Sequence, residues 1–182
     1  MKNIYLIRHC CASGQHPDSP LTKIGLRQAN KLKDFFISRN IVCDRIISSP
    51  YLRAVDTIRP YAEYMGIPID IDNRLKERVI SEHPLDDWLD VLEQSFRDHD
   101  FRLPGGESAK DTIKRANDLL HTIFDCEDVT NVMIVSHGNL IALVLQQFNN
   151  ADGFEQWKQL RNPDIYKITL DDNTVLSVDC IW

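Results

Sequence analysis

At 182 residues the chain has the size of one ordinary domain, long enough to bury a substantial core without help from disulfides or metals. Apolar residues make up 43% and charged residues 26%, the proportions of a soluble globular protein. A net charge of −6 argues against nucleic-acid and membrane-surface partners, which call for basic patches, but leaves room for a small anionic substrate held by a local cluster of Arg and His.

No run approaches the roughly 20 apolar residues of a membrane span. Met1-Lys2 leads straight into a strand-like segment, so no secretory signal is expected. The five cysteines (Cys10, Cys11, Cys43, Cys126, Cys180) are odd in number and form no C-x-x-C pair. A reduced, cytoplasmic protein without a metal site fits that pattern.

The first element is a short β-branched run, Ile4 to Ile7, which stops at the polar pair Arg8-His9. The following stretch is rich in Gly, Ser, Asp and Pro and reads as a loop. A helix is predicted from Thr22, with Gly25, Ala29, Leu32 and Phe36 on one face. Gly25 costs helix propensity, which points to close packing against a neighbour.

Arg45 to Ser48 reads as a second buried strand. Ser49-Pro50 then opens a helix from Tyr51 to Met65, ended by Gly66. Ile67 to Ile71 is a third strand candidate, weakened by Pro68. The stretch from Arg74 to Gly106 is loosely patterned and highly charged, with a helix predicted over Leu85 to Asp98. Ser108 and Asp111 resemble a capping box ahead of the stripe Ile113, Ala116, Leu120 and Ile123.

Val132 to Val135 is the clearest strand, followed by Ser136-His137-Gly138-Asn139 and an apolar helix. Ile165 to Leu170 and Val175 to Ile181 flank the turn-like Asp171-Asp172-Asn173 and read as a hairpin. Strands alternating with helices predict a three-layer α/β/α sandwich with a mostly parallel central sheet. Without repeats, linkers or low-complexity segments, residues 1–182 read as a single domain.

Three places share one design, a short buried strand ending in polar residues ahead of a loop or helix. They are Arg8-His9, Ser48-Ser49-Pro50 with Arg53 just beyond, and Ser136-His137-Gly138-Asn139. In open parallel sheets ligands bind beyond the carboxyl ends of the strands, where helix N-termini offer free N–H groups to anions. Taken singly, each is an ordinary feature: a surface Arg-His, a solvated helix Arg, a turn that holds a His. Brought together, two Arg and two His would form a phosphate pocket.

The motifs L-I-R-H-C (Leu6 to Cys10), L-T-K-I-G-L-R-Q-A (Leu21 to Ala29), S-S-P-Y-L-R-A-V-D-T (Ser48 to Thr57), G-G-E-S (Gly105 to Ser108) and V-S-H-G-N (Val135 to Asn139) occur in this order. They resemble the histidine phosphatase superfamily, also called phosphoglycerate-mutase-like, in its small phosphatase branch. The resemblance implies that fold over nearly the whole chain. It implies a metal-independent phosphomonoesterase, with no cofactor, acting on a small phosphorylated metabolite. His9 matches the nucleophile that becomes phosphorylated. Arg8, Arg53 and His137 match the groups that hold the transferring oxygens. Glu77, in R-L-K-E-R, falls where the family carries the acid that protonates the leaving group, with Glu82 its nearest rival. The expected catalytic residues are therefore His9, Glu77 and His137, and the expected substrate-binding residues are Arg8, Gln15 and Arg53.

Those roles make definite physical demands. A nucleophilic His must be neutral, with its other N–H tied down; a backbone carbonyl near His9 is one candidate. His137 is useful when protonated, a form that the phosphate itself favours, and Glu77 should hold a proton when substrate binds. Two departures from the family pattern stand out. Cys10 occupies the place of a usual Gly, which narrows the pocket or alters the loop, and Gln15 stands where relatives carry Asn.

A thiol between Arg8 and Arg53 also raises an oxidation switch, against the plainer reading of Cys10 as a small loop filler. His16, His83, His99 and His121 read as surface histidines. Trp88, Trp157 and Trp182 read as packing residues. Arg78, Arg97 and Arg102 read as parts of a solvated helix and loop that relatives use as a lid. Two other functions stay open: a phosphoglycerate mutase, disfavoured by the compact central region, and a catalytically silent module. Sugar phosphates, nucleotides, phosphoglycerates and α-ribazole phosphate are all open as substrates. Monomer and homodimer are both open, the latter through a hydrophobic C-terminal edge strand.

Overall fold

The computed structural model describes residues 1–149, 151–171 and 174–182. In chain order the elements are β1 (Lys2–Arg8), α1 (Lys23–Ser38), β2 (Arg45–Ser48), α2 (Leu52–Met65), β3 (Ile69–Ile71), a 3₁₀ turn (Asn73–Leu75), α3 (Trp88–Arg97), α4 (Ala109–Phe124), β4 (Asn131–Ser136), α5 (Gly138–Asn149), α6 (Gly153–Gln159), β5 (Asp164–Asp171) and β6 (Thr174–Cys180). Among the described residues the strands form one six-stranded sheet in the order β3-β2-β4-β1-β5-β6. Pairing is parallel from β3 through β1 and antiparallel at β5 and β6. The predicted hairpin is present, while Asp172 and Asn173 of its turn lie outside the described residues.

The three layers follow from the pleat. Successive side chains along a strand point to opposite faces, so a strand covered on both sides is apolar throughout. In β1, Ile4 and Leu6 face one way, joined by Ile47, Val132, Ile134 and Ile168, and meet α3, α4, α5 and α6. Tyr5 and Ile7 face the other way, with Ile46, Met133, Val135 and Ile165, and meet α1 and α2. The predicted face of α1 is buried as expected. Gly25 supplies the close approach: a Cβ there would lie 2.0 Å from the Cys11 carbonyl oxygen. The capping box at Ser108 and Asp111 is complete.

Three local readings change. Ile67 and Pro68 precede β3, which starts at Ile69. The charged-region helix is shorter than predicted and begins at Trp88. The seven-residue α6, too brief for a periodic signal, was not anticipated from the sequence.

The parallel register decides where the polar strand ends meet. Arg8 pairs with Ser136, and Ser48 with Val135. The ladder runs on past the strands: His9 N donates to Ser136 O at 3.1 Å, and Ser49 N to Val135 O at 2.9 Å. The three motif-bearing strand ends thus lie side by side.

Candidate active site

His9 sits at the end of β1 and is 8% exposed. Its Nδ1–H donates to the Cys10 carbonyl at 2.7 Å. Its Nε2 accepts from Arg53 Nε at 3.2 Å. Together these bonds require the neutral tautomer with the proton on Nδ1, and the lone pair on Nε2 faces Arg53. Burial pushes the His9 pKa down to about 4, helped by the Arg53 and Arg8 charges and opposed by the Cys10 carbonyl. The imidazole is therefore a base without its proton across the neutral range.

Arg53, in the first turn of α2, is 1% exposed. Beyond His9 it donates through Nη1 to the Gln15 and His16 carbonyls at 3.1 and 3.0 Å. It thereby fixes the loop after β1, and its charge lies 4.8 Å over the Tyr51 ring. Arg8 donates through Nη1 to the Leu160 carbonyl at 2.6 Å, while its buried Nε has no partner among the described residues. A guanidinium with a spare donor beside a second guanidinium is arranged for an anion.

His137 is fully buried between β4 and α5. Its Nε2 meets Ser49 Oγ at 2.7 Å, and its ring centre lies 5.2 Å from that of His9. Its Nδ1 has no partner among the described residues. Burial, with His9 and Arg53 nearby, lowers its pKa well below the usual histidine value. It is neutral as it stands, and a dianion placed among these groups reverses that balance.

Glu77 approaches from the segment after β3. Its carboxylate accepts from the amides of Arg78 (2.8 Å), Asn139 (3.3 Å) and Leu140 (3.4 Å), the last two at the start of α5. Burial raises its pKa, against the pull of those amides and of Arg8. Glu82, the rival acid, is exposed and lies against Gly105.

Arg8, Gln15, Arg53 and Glu77 all line one cavity of about 570 Å³ beyond the strand ends. Among the described residues, no group of three or more His, Cys, Asp and Glu side chains is placed to hold a metal ion.

Cys10 does not narrow this cavity. Its side chain is fully buried with Leu21 and Ala29, and its amide donates to Thr57 Oγ1 at 2.8 Å. Burial raises its thiol pKa to about 12, the reverse of what an oxidation switch requires. Arg78 is likewise not solvated. It is 4% exposed, and its donors go to the Glu107 carbonyl at 3.0 Å and Ser95 Oγ at 3.1 Å.

Asn162 carries no motif, yet its side-chain amide donates to the His9 carbonyl at 2.7 Å. Its own carbonyl accepts from Gln28 Nε2 at 2.6 Å. An isolated Asn in a loop offers no signal that would have found it. Trp88 and Trp157, read as packing residues, both line the cavity.

Comparisons with known proteins bear on the family and the fold. A Caenorhabditis elegans protein named 6-phosphofructo-2-kinase/fructose-2,6-bisphosphatase is 30% identical over 162 residues, which is 81% of this chain and 34% of that protein. The chain thus spans about a third of that relative. The protein named "Probable phosphoglycerate mutase GpmB" of Yersinia pestis is 27% identical over 97% of this chain and 89% of its own length. Among solved structures, a mycobacterial glucosyl-3-phosphoglycerate phosphatase bound to inorganic phosphate superposes with a TM-score of 0.81 at 21% identity, covering 100% of this chain and 97% of that one. The model of the histidine phosphatase superfamily (branch 1) matches residues 4–180, and the chain belongs to that family.

Proposed function

We propose that the protein is a metal-independent phosphomonoesterase that works through a phosphohistidine on His9 and acts on a small phosphorylated metabolite. The observation that carries this reading is the state of His9. Its Nδ1 proton is committed to Cys10 O, and its Nε2 lone pair is directed at Arg53, which lines one cavity with Arg8 and Glu77.

In the first step the Nε2 lone pair attacks phosphorus and the bond to the alcohol oxygen breaks. The transition state spreads charge over the three outer oxygens, which Arg8, Arg53 and a protonated His137 receive. Glu77 gives its proton to the departing oxygen, and burial keeps that proton available. In the second step water attacks phosphorus, the N–P bond breaks, and the Glu77 carboxylate takes the proton of the water. Gln15, at the rim, adds an amide toward the phosphate. The free state of all five cysteines suits work in a reducing cytoplasm.

A mutase shares the first step and returns the phosphoryl group to a second substrate hydroxyl. Similarity to GpmB over 89% of that protein removes length as a ground for separating the two readings. Hydrolysis of p-nitrophenyl phosphate with EDTA present, wild type beside His9→Ala, tests the proposal. Activity in the wild type and a loss of at least a thousandfold in the variant are expected. Equal activity in both would mean that His9 is not the nucleophile. A silent wild type that interconverts phosphoglycerates would favour the mutase.

A further inference from the structure

The cavity has two chemically distinct ends. The inner end holds Arg8, Arg53 and Glu77. The outer wall is built from Val79, Ile80, Leu85, Trp88, Leu92 and Trp157. Trp157 is held rigidly: its ring stacks on Phe154 with centres 5.8 Å apart and planes 9° from parallel, and Phe154 lies in turn 6.2 Å from Phe96. Its indole nitrogen also lies close against the start of α5, 3.2 Å from where a Cβ on Gly138 would sit. Trp88 opens α3 and meets Trp157 edge-to-face at 6.1 Å, yet remains 53% exposed. A large aromatic surface left in water beside a fixed indole, at the mouth of a phosphate pocket, is an unoccupied contact surface.

Arg78 brings a fixed charge to the cavity wall, with Nε bonded to Glu107 O and Nη1 to Ser95. The remaining basic group is His83, exposed at the mouth. A ring with an apolar face would bury surface against both indoles.

We propose that Trp88 and Trp157 form an aromatic platform for the leaving group, so that the preferred substrates are phosphomonoesters of ring-bearing alcohols. This rests on the phosphatase reading and narrows it to a substrate class. The dimensions are compatible, since a cavity of about 570 Å³ is in the range that encloses a small ligand.

The test uses three alkyl esters that are alike at the reacting oxygen and differ beyond it: 2-naphthylmethyl phosphate, ethyl phosphate and 2-carboxyethyl phosphate. In the wild type, kcat/KM should be highest for the naphthyl ester and at least about tenfold lower for the other two. In W88A the naphthyl-to-ethyl ratio should fall about tenfold, chiefly through KM, and W88F should restore most of it. A wild type that handles the carboxylate ester as well as the naphthyl ester overturns the platform, and so does an unchanged ratio in W88A. Binding of 2-(2-naphthyl)ethylphosphonate and of ethylphosphonate, followed by calorimetry, separates this from failure of the phosphatase reading. If no ester is hydrolysed, a naphthyl preference lost in W88A still supports the platform, and equal affinities in both proteins refute it.

Discussion

Burial shifts His9 and Glu77 in opposite directions and toward the same neutral condition, lowering the imidazole pKa and raising that of the carboxyl, as the proposed roles of nucleophile and acid require. Glu77→Gln should therefore lower turnover of alkyl phosphates by about 10²- to 10⁴-fold, the usual contribution of a positioned acid. Aryl esters, which leave as stabilised phenolates, should lose much less. Alkyl-ester turnover in the wild type should also decline as pH rises through the Glu77 pKa. Equal losses on both ester types would assign Glu77 a purely structural role, and Glu82→Gln, on the exposed side of the loop, serves as the control. Arg8, His9, Arg53 and His137 were legible because each abuts a recognisable strand or helix start. Arg78 was not, because R-L-K-E-R reads as solvated charge until the backbone folds Glu107 and Ser95 around the guanidinium.

Elements place these groups through close approaches more than through side-chain bulk. The start of α5 lies so near Arg8 that a Cβ on Gly138 would come 3.2 Å from Arg8 Nη2 and 3.2 Å from Trp157 Nε1. Gly138→Ala should therefore push the guanidinium aside by a few tenths of an ångström. We expect kcat/KM to fall about tenfold, since small displacements of positioning groups are costly, with thermal stability within a few degrees of wild type. Steady-state kinetics and a melting curve check both halves, and an unchanged kcat/KM would show that Arg8 adapts freely.

The segment that delivers Glu77 lacks long regular structure and is held instead by arginines. Arg74 clasps Asp72, and Arg115 forks onto Glu107 with contacts of 2.6 and 2.9 Å. No periodicity in the sequence announces such a clamp. Short apolar runs announced β1, β2 and β4, whereas Trp88 and Trp157 meet only because α3 and α6 pack together, which no local pattern encodes.

For the molecule as a whole, neutral buried histidines tie stability to pH. The His9 pKa falls from 6.5 in an unfolded chain to about 4 in the folded protein. Between those values the unfolded state binds the extra proton, so stability is complete above pH 6.5 and is lost as pH falls toward 4. The shift corresponds to roughly 3 kcal/mol at full effect, and His137 adds in the same direction. Urea midpoints at pH 7 and pH 4.5 should differ more in wild type than in His9→Asn, and parallel behaviour would contradict the burial argument. The architecture that produces this burial was readable at low resolution, because alternating apolar strands and amphipathic helices admit few other layer arrangements. The strand order was not, since nothing local tells β1 to lie between β4 and β5.

That central position of β1 also bears on how the protein is made. Its partners arrive late: β4 begins at Asn131 and β5 at Asp164, and the carbonyl and amide that steady Arg8 and His9 come from Leu160 and Asn162. During synthesis His9 therefore emerges well before the residues that support it. Until then β1 is an apolar strand with two unpaired edges, a template for wrong pairing. The growing chain thus carries His9 without its fixed partners, and protection of the unpaired β1 matters most until the segment holding Leu160 and Asn162 has been made.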